Sequence, residues 1–337
     1  AAIPLLETQF MWGLIASLFA YSLIGLGVGA SGTSLLALLS TLTAPRRRAA
    51  AATITWLMMI AGIAITAGVV GKLLDPYSHK LLLKIVGIVC AIAIVLTTFA
   101  ILGVEKEKQC LKQTDDMSFW EGFKEIWEER STRHFSFFVF LSMTAYFMQE
   151  LILEPYAGLV FNLTPGESTY LSGIQNGGVF LGMVSVGLLC TGLNIGSLKS
   201  WVISGCIGSA VSLILISALG LGGSASQLTA AVMSLGFFNG MFAVGAIGSM
   251  MSLASRGRIK REGTRVGMWG AAQAIAAGFG GLLGASLVDL MRFISAAEAT
   301  AYGTVFLIEA GLFIASSTLA VRIMSSRPKS IDLVPGE

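Results

Sequence analysis

Hydrophobic residues run through this chain in long stretches separated by short polar segments, at approximately 10–43, 50–73, 80–104, 135–160, 168–192, 198–222, 227–255, 264–291 and 299–324. Each is long enough for the ~20 residues that a helix needs to cross a bilayer. Runs of that length are not the short alternating strands of an outer-membrane barrel. The pattern predicts an all-α integral membrane protein, a helical bundle with about nine crossings.

The polar segments between the runs alternate in basic content. Arg46, Arg47 and Arg48 lie in one loop, and Lys106, Lys108, Lys112, Lys124, Arg130 and Arg133 in a second. Arg256, Arg258, Lys260, Arg261 and Arg265 crowd a third, and Arg327 and Lys329 follow the last run. The intervening loops are poorer in Lys and Arg, so the positive-inside rule predicts a cytoplasmic C-terminus and an opposite-side start at Ala1. The start at Ala1, inside no recognisable signal peptide, leads us to expect that N-terminal sequence is missing.

Composition sharpens this reading. Only 12% of the 337 residues are charged and 55% are hydrophobic, against roughly 25% charged in a soluble domain. The net charge of +3 is accounted for by the loop clusters, so no nucleic-acid partner is expected. Cys90, Cys110, Cys190 and Cys206 are scattered without metal-ligand spacing, and neither a metal site nor a disulfide framework is indicated. No catalytic triad, phosphate loop or dinucleotide fingerprint is found, so neither an enzyme nor a catalytic cofactor is expected.

Glycines recur four apart at Gly25 and Gly29, Gly178 and Gly182, Gly236 and Gly240, and Gly280 and Gly284. That spacing puts each pair on one helix face, where backbones can approach closely, and predicts tight helix packing. The longest loop, 105–134, contains Phe119, Trp120, Phe123 and Trp127 at helical spacing opposite Glu121, Glu125, Glu128 and Glu129. This predicts an amphipathic helix on the cytoplasmic membrane face, with its aromatic residues as anchors or as a docking surface for a partner.

Ionisable groups inside apolar spans are the most informative residues, because each costs ~2.5–3.5 kcal/mol on insertion scales. Gln149, Glu150 and Glu154 lie in the span 135–160, immediately before Pro155, and Glu309 lies near the middle of the last span. The two carboxylates at 150 and 154 share a helix face. They can exchange protons, coordinate a cation or hydrogen-bond a ligand; a buried polar contact between helices is the plainer reading. Asn176, Asn239 and Gln273 are read as helix-packing contacts.

The segments FMQELILEPYAG (147–158) and REGTRVGMWGAAQAIAAGFGGLLGASLVDL (261–290) resemble characteristic stretches of the PucC/LhaA family. That family is the bacteriochlorophyll or chlorophyll delivery branch of the major facilitator superfamily. The segment 41–74 is similar as well, and the most specific signal is the arrangement of Gln149, Glu150, Glu154, Pro155 and Tyr156. The resemblance implies a major-facilitator-like bundle of twelve helices, of which about nine are present. Residues 1–104 would be the remainder of the N-terminal half, equivalent to helices four to six. The stretch 105–134 would be the cytoplasmic link between halves, 135–326 the C-terminal six-helix half, and 327–337 a cytoplasmic tail.

The resemblance also implies association with assembly of light-harvesting complexes in a photosynthetic membrane. Chlorophyll or bacteriochlorophyll would be the bound cargo, and antenna or reaction-centre subunits and the lipid bilayer the partners. Gln149, Glu150, Glu154, Tyr156 and Glu309 are the expected pigment, substrate or proton-site residues. The leading expectation is a pigment carrier or assembly factor. The alternatives are a proton-coupled secondary transporter of a small solute and a structural subunit of a photosynthetic membrane complex.

Overall fold

The computed structural model describes residues 9–43, 48–103, 124, 127–193, 195–254, 262–295 and 297–325. Among them the only regular secondary structure is helical. The long helices are α1 (Phe10–Leu42), α2 (Arg48–Leu73), α3 (His79–Ile101), α4 (Arg130–Phe161) and α5 (Pro165–Gly187). They continue with α6 (Leu198–Leu219), α7 (Ala225–Ala254), α8 (Glu262–Ile294) and α9 (Glu298–Ser325). Among the described residues these nine helices are long and apolar enough to cross a membrane. The protein is an all-helical integral membrane bundle.

The ends of the helices follow from local chemistry. At the α4–α5 turn Asn162 takes the left-handed conformation (φ 57°) that ends α4, an arrangement asparagine tolerates because its short amide can bond locally. Thr164 then opens α5: its hydroxyl accepts from the Glu167 backbone N–H while the Glu167 carboxylate accepts from the Thr164 N–H at 2.8 Å. Pro165 occupies the first helical position, where its missing N–H costs nothing. The connection is therefore only a few residues long, and α4 and α5 are antiparallel neighbours. Beyond Gly187 the chain continues through a π-helical turn, Leu188–Gly192.

Helix α4 begins at Arg130, five residues inside the segment expected to link two halves. Thr132 reinforces its first turn by donating to the Glu129 carboxylate at 2.9 Å. Of the expected interfacial helix, Phe119, Trp120 and Phe123 lie outside the described residues. Trp127 is exposed and leans on Phe137, with ring centroids 6.3 Å apart.

The chain divides into two compact units, with the boundary inside α2 between Trp56 and Leu57. The first unit contains α1, along which Phe10, Trp12, Phe19 and Tyr21 are exposed. The second contains the rest of α2 and the helices that follow. Within it α5 packs on α7, α7 on α6, α6 on α9, α9 on α4, and α4 on α8.

The glycine pairs at 178/182 and 236/240 make the α5–α7 contact. A Cβ at Gly178 would strike the Met233 carbonyl, one at Gly182 the Phe237 carbonyl, one at Gly236 the Gln175 carbonyl and one at Gly240 the Val179 carbonyl. The two backbones are thus in contact on both sides, at a distance that only hydrogen side chains allow. Gly280 and Gly284 approach α4 similarly, where an added Cβ would stand 2.7 Å from the Thr144 carbonyl and 3.0 Å from that of Met148. At Gly25 and Gly29 an added Cβ would meet no described atom within 4 Å. Spacing on one helix is silent about what faces it, and the close approach expected of that pair is not seen among the described residues.

Two aromatic clusters bracket the α4–α9 contact. Tyr156 stacks edge-on against Phe306 and Phe161, at centroid distances of 5.0 and 5.5 Å. Toward the other end Phe135 meets Trp269 at 4.8 Å, and Phe242 meets both Phe138 and Phe313 at 6.2 Å. Edge-to-face pairs of this kind add about 0.5–1.5 kcal/mol each beyond area burial.

Candidate ligand-binding cleft

In helix α4 the positions Tyr146, Gln149, Glu150, Leu153 and Glu154 follow the three-and-four spacing that places residues on one face. Ser172, Gln175, Asn176 and Val179 do the same in α5. The short Asn162–Thr164 turn sets these faces antiparallel and opposite each other. Together with Ile63 and Ala67 of α2 they line a cleft of about 190 Å³. Its wall is rich in oxygen and amide groups in an otherwise apolar bundle.

One hydrogen bond crosses the cleft: the Ser172 hydroxyl donates to Glu154 Oε1 at 2.7 Å. In an antiparallel pair a step of four residues up α4 matches four residues down α5. That bond therefore sets Glu150 level with Asn176, whose amide is turned to its own helix and donates to the Ser172 carbonyl at 3.0 Å. Glu150 and Glu154 are both open to the cleft rather than sealed in the core. Pro155, inside α4, cannot donate to the Leu151 carbonyl, leaving a further acceptor on the turn that carries both carboxylates.

Gln149 is different from its two neighbours. Its side chain is 1% exposed, lines the cleft, and has no hydrogen-bond partner at either Nε2 or Oε1. An unsatisfied buried amide costs about 1–3 kcal/mol, a cost that a partner offering both a donor and an acceptor would remove.

The wall formed by α2 is held by backbone contact with α5. A Cβ on Gly71 would lie 2.5 Å from the Tyr170 nitrogen, and one on Gly173 would lie 2.7 Å from the Gly68 nitrogen. Lys72 sits over the Tyr170 ring, 5.2 Å from its centroid, at the same junction.

Of the residues singled out from sequence, Gln149, Glu150 and Glu154 come together in this cleft. Tyr156 does not join them: two residues beyond Glu154 it points to the opposite side of α4, is fully buried, and donates its hydroxyl to the Ile216 carbonyl of α6 at 2.7 Å. Glu309 is also elsewhere, on α9 between the levels of Phe306 and Phe313, fully buried with neither oxygen hydrogen-bonded. Asn239 accepts from the Ser209 hydroxyl at 2.7 Å, tying α7 to α6.

Tyr146, Ser172 and Gln175 were missed by sequence reading. The polar stripe Ser172–Gln175–Asn176 at helical spacing was the available signal, but serine and amides are common in membrane helices as packing groups. Nothing local said that this stripe faces the acidic turn of α4.

The sequence profile described as "PUCC protein" matches residues 4–327. Among characterised proteins, the chain is 59% identical to the "Bacteriochlorophyll synthase 44.5 kDa chain" of Rhodobacter capsulatus over 331 residues, covering 97% of this chain and 77% of that protein. It is 28% identical to "Protein PucC" of Rhodobacter capsulatus, over 93% of this chain and 68% of that one. It is 25% identical to "Protein PucC" of Cereibacter sphaeroides, over 95% of this chain and 70% of that one.

Proposed function

The chain belongs to the PUCC protein family, and from that premise we propose that it binds a bacteriochlorophyll-type pigment and delivers it to, or chaperones, light-harvesting or reaction-centre polypeptides in a photosynthetic membrane. The observation that carries this reading is the cleft between α4 and α5. Its partnerless Gln149 amide and its two accessible carboxylates face Ser172, Gln175 and Asn176 across a cleft whose remaining lining is Tyr146, Leu153, Val179, Ile63 and Ala67. The name of the 59% identical relative adds bacteriochlorophyll as the class of molecule.

A chlorin is mostly apolar and carries a few ring carbonyls and a central magnesium. Carboxylate and amide oxygens suit a hard cation, so Glu150, Glu154 or the Gln149 carbonyl oxygen would ligate the cargo's magnesium directly or through water. The Gln149 amide N–H would meet a ring carbonyl. The relative's name contains the word synthase, but carboxylates, amides and a serine hydroxyl held by its neighbour make a binding surface, and we read the role as non-catalytic. Partners follow from the same reading: the pigment must be passed on, so antenna or reaction-centre subunits are the recipients. The basic residues of alternate loops favour a cytoplasmic C-terminus.

The test is pigment co-purification from gently solubilised protein, read by absorption. Replacing Glu150 by Gln and Glu154 by Leu should strip the chlorin bands while the protein stays folded; unchanged pigment content would sink the assignment.

A second reading is favoured by one observation, the fully buried and partnerless Glu309. Such a carboxyl in a membrane bundle is the group a proton-coupled transporter would use. Colourless protein that shows pH-driven solute uptake in vesicles, abolished by Glu309→Gln, would favour it over the carrier.

A further inference from the structure

Beside the polar cleft lies a second cavity of opposite character. It is a groove of about 570 Å³ between α2 and α3, lined by Met59, Gly62, Thr66, Val70, Val86 and Val89, with Cys90 exposed along it. Its lining is almost wholly apolar. Ile63 and Ala67, four residues apart on α2, belong to the walls of both cavities. The carboxylate-lined cleft and the apolar groove are therefore neighbours that share the wall made by these two residues.

The face of α2 that borders the groove repeats at Met59, Gly62/Ile63, Thr66/Ala67 and Val70, one unbroken stripe about three turns long. At its middle Gly62 carries no side chain, and a Cβ built there would meet nothing within 4 Å. The gap between α2 and α3 is thus open at that level. Beside this stripe α2 is fixed on α5 through Gly68 and Gly71, so the shared wall is held in place.

We propose that the two cavities form one bipartite site for an amphiphile. Its polar head would sit in the cleft at Gln149, Glu150 and Glu154, and its long hydrocarbon chain would lie along the groove between α2 and α3. This inference rests on the reading of the cleft as a pigment site and adds the location and the chemistry of the pigment's tail. Continuity through Ile63 and Ala67 selects this occupant over an unrelated membrane lipid. A chain tethered to a head in the cleft fills both cavities in one binding event, whereas a bilayer lipid in the groove would leave the polar cleft without an occupant.

The experiment compares bacteriochlorophyll a with its tail-less acid, bacteriochlorophyllide a, both added to the full chain in lipid nanodiscs. The expected result is a clear preference for the tailed pigment. Gly62→Phe, which fills the groove, should reduce that preference about tenfold, the equivalent of about two buried methylenes. Val89→Trp blocks the groove from α3 and reads the same quantity if the first variant fails to fold. Ile94→Phe, on an exposed part of α3 outside the groove, should leave the preference as in wild type. Equal binding of the two pigments in wild type, or a preference unmoved by either groove variant, overturns the proposal.

Cys90 supplies an independent readout in a Cys110→Ser, Cys190→Ser, Cys206→Ser background. Maleimide labelling of Cys90 should be slowed by the tailed pigment and not by the tail-less one. Equal labelling with either pigment would mean that bilayer lipid alone fills the groove, and overturns the proposal. If neither pigment binds, the pigment reading itself has failed, and geranylgeraniol then tests the groove separately. Protection of Cys90 that disappears in Gly62→Phe would retain a chain-binding groove, and no protection would remove it.

Discussion

Ser172 on α5 donates its hydroxyl to Glu154 on α4 at 2.7 Å, across a cleft whose two walls are joined at one end by a short capped turn. The bond holds one carboxylate oxygen of the site and leaves the second for a ligand. Ser172→Ala should therefore do two separable things. Stability of the solubilised protein should fall by about 0.6 kcal/mol, the average for interhelical polar contacts in a membrane bundle. Pigment retention should fall further, because Glu154 then swings free. Thermal denaturation and pigment absorbance on the same sample check both.

Gln149 carries the opposite balance. With no ligand its buried amide is unsatisfied, so Gln149→Leu should raise the stability of pigment-free protein by about 1 kcal/mol while weakening pigment binding. A variant that is less stable in the pigment-free state would show that the amide already has a partner there.

Tyr156 tests where the cleft ends. Tyr156→Phe removes the 2.7 Å bond to the Ile216 carbonyl and should cost about 0.5–1.5 kcal/mol, visible as a lowered melting temperature. Pigment binding should not change, since this ring belongs to the α4–α6–α9 core and not to the cleft.

The glycines of α5 and α7 predict a contrast between contacting and non-contacting positions. Gly236→Ala pushes a methyl into the Gln175 carbonyl and should destabilise by about 1–3 kcal/mol. Gly177→Ala, on the same α5 turn as Gly178 but with nothing within 4 Å of the new methyl, should be neutral or stabilising by up to about 1 kcal/mol. Chemical denaturation of the two variants in the same detergent measures the difference.

How much of this was legible beforehand differs between fold and site. The apolar spans read at 50–73, 198–222 and 299–324 became helices Arg48–Leu73, Leu198–Leu219 and Glu298–Ser325, because a membrane helix must satisfy its whole backbone internally and so announces its length in hydropathy. The α4 turn with Gln149, Glu150 and Glu154 was equally visible, since a charge in an apolar run stands out against lipid. Tyr156 looked like part of the same motif, yet its side chain leaves α4 in the opposite direction. Adjacency in sequence and adjacency in space are different relations on a helix of 3.6 residues per turn.

By itself the sequence determined the helices and the acidic turn, which depend on residues within one or two turns of each other, and the family, which is carried by motifs spread along the chain. Only the tertiary structure decided which faces meet. Ser172 and Gln175 became site residues because α5 lies antiparallel to α4, and Ile63 and Ala67 became a shared wall because Gly68 and Gly71 dock α2 on α5. In an interior where every helix is apolar nearly all round, amphipathic pattern no longer says which side faces inward. Partner choice then rests on backbone approach at glycines and on a few polar atoms, and those are settled only when the helices are packed together.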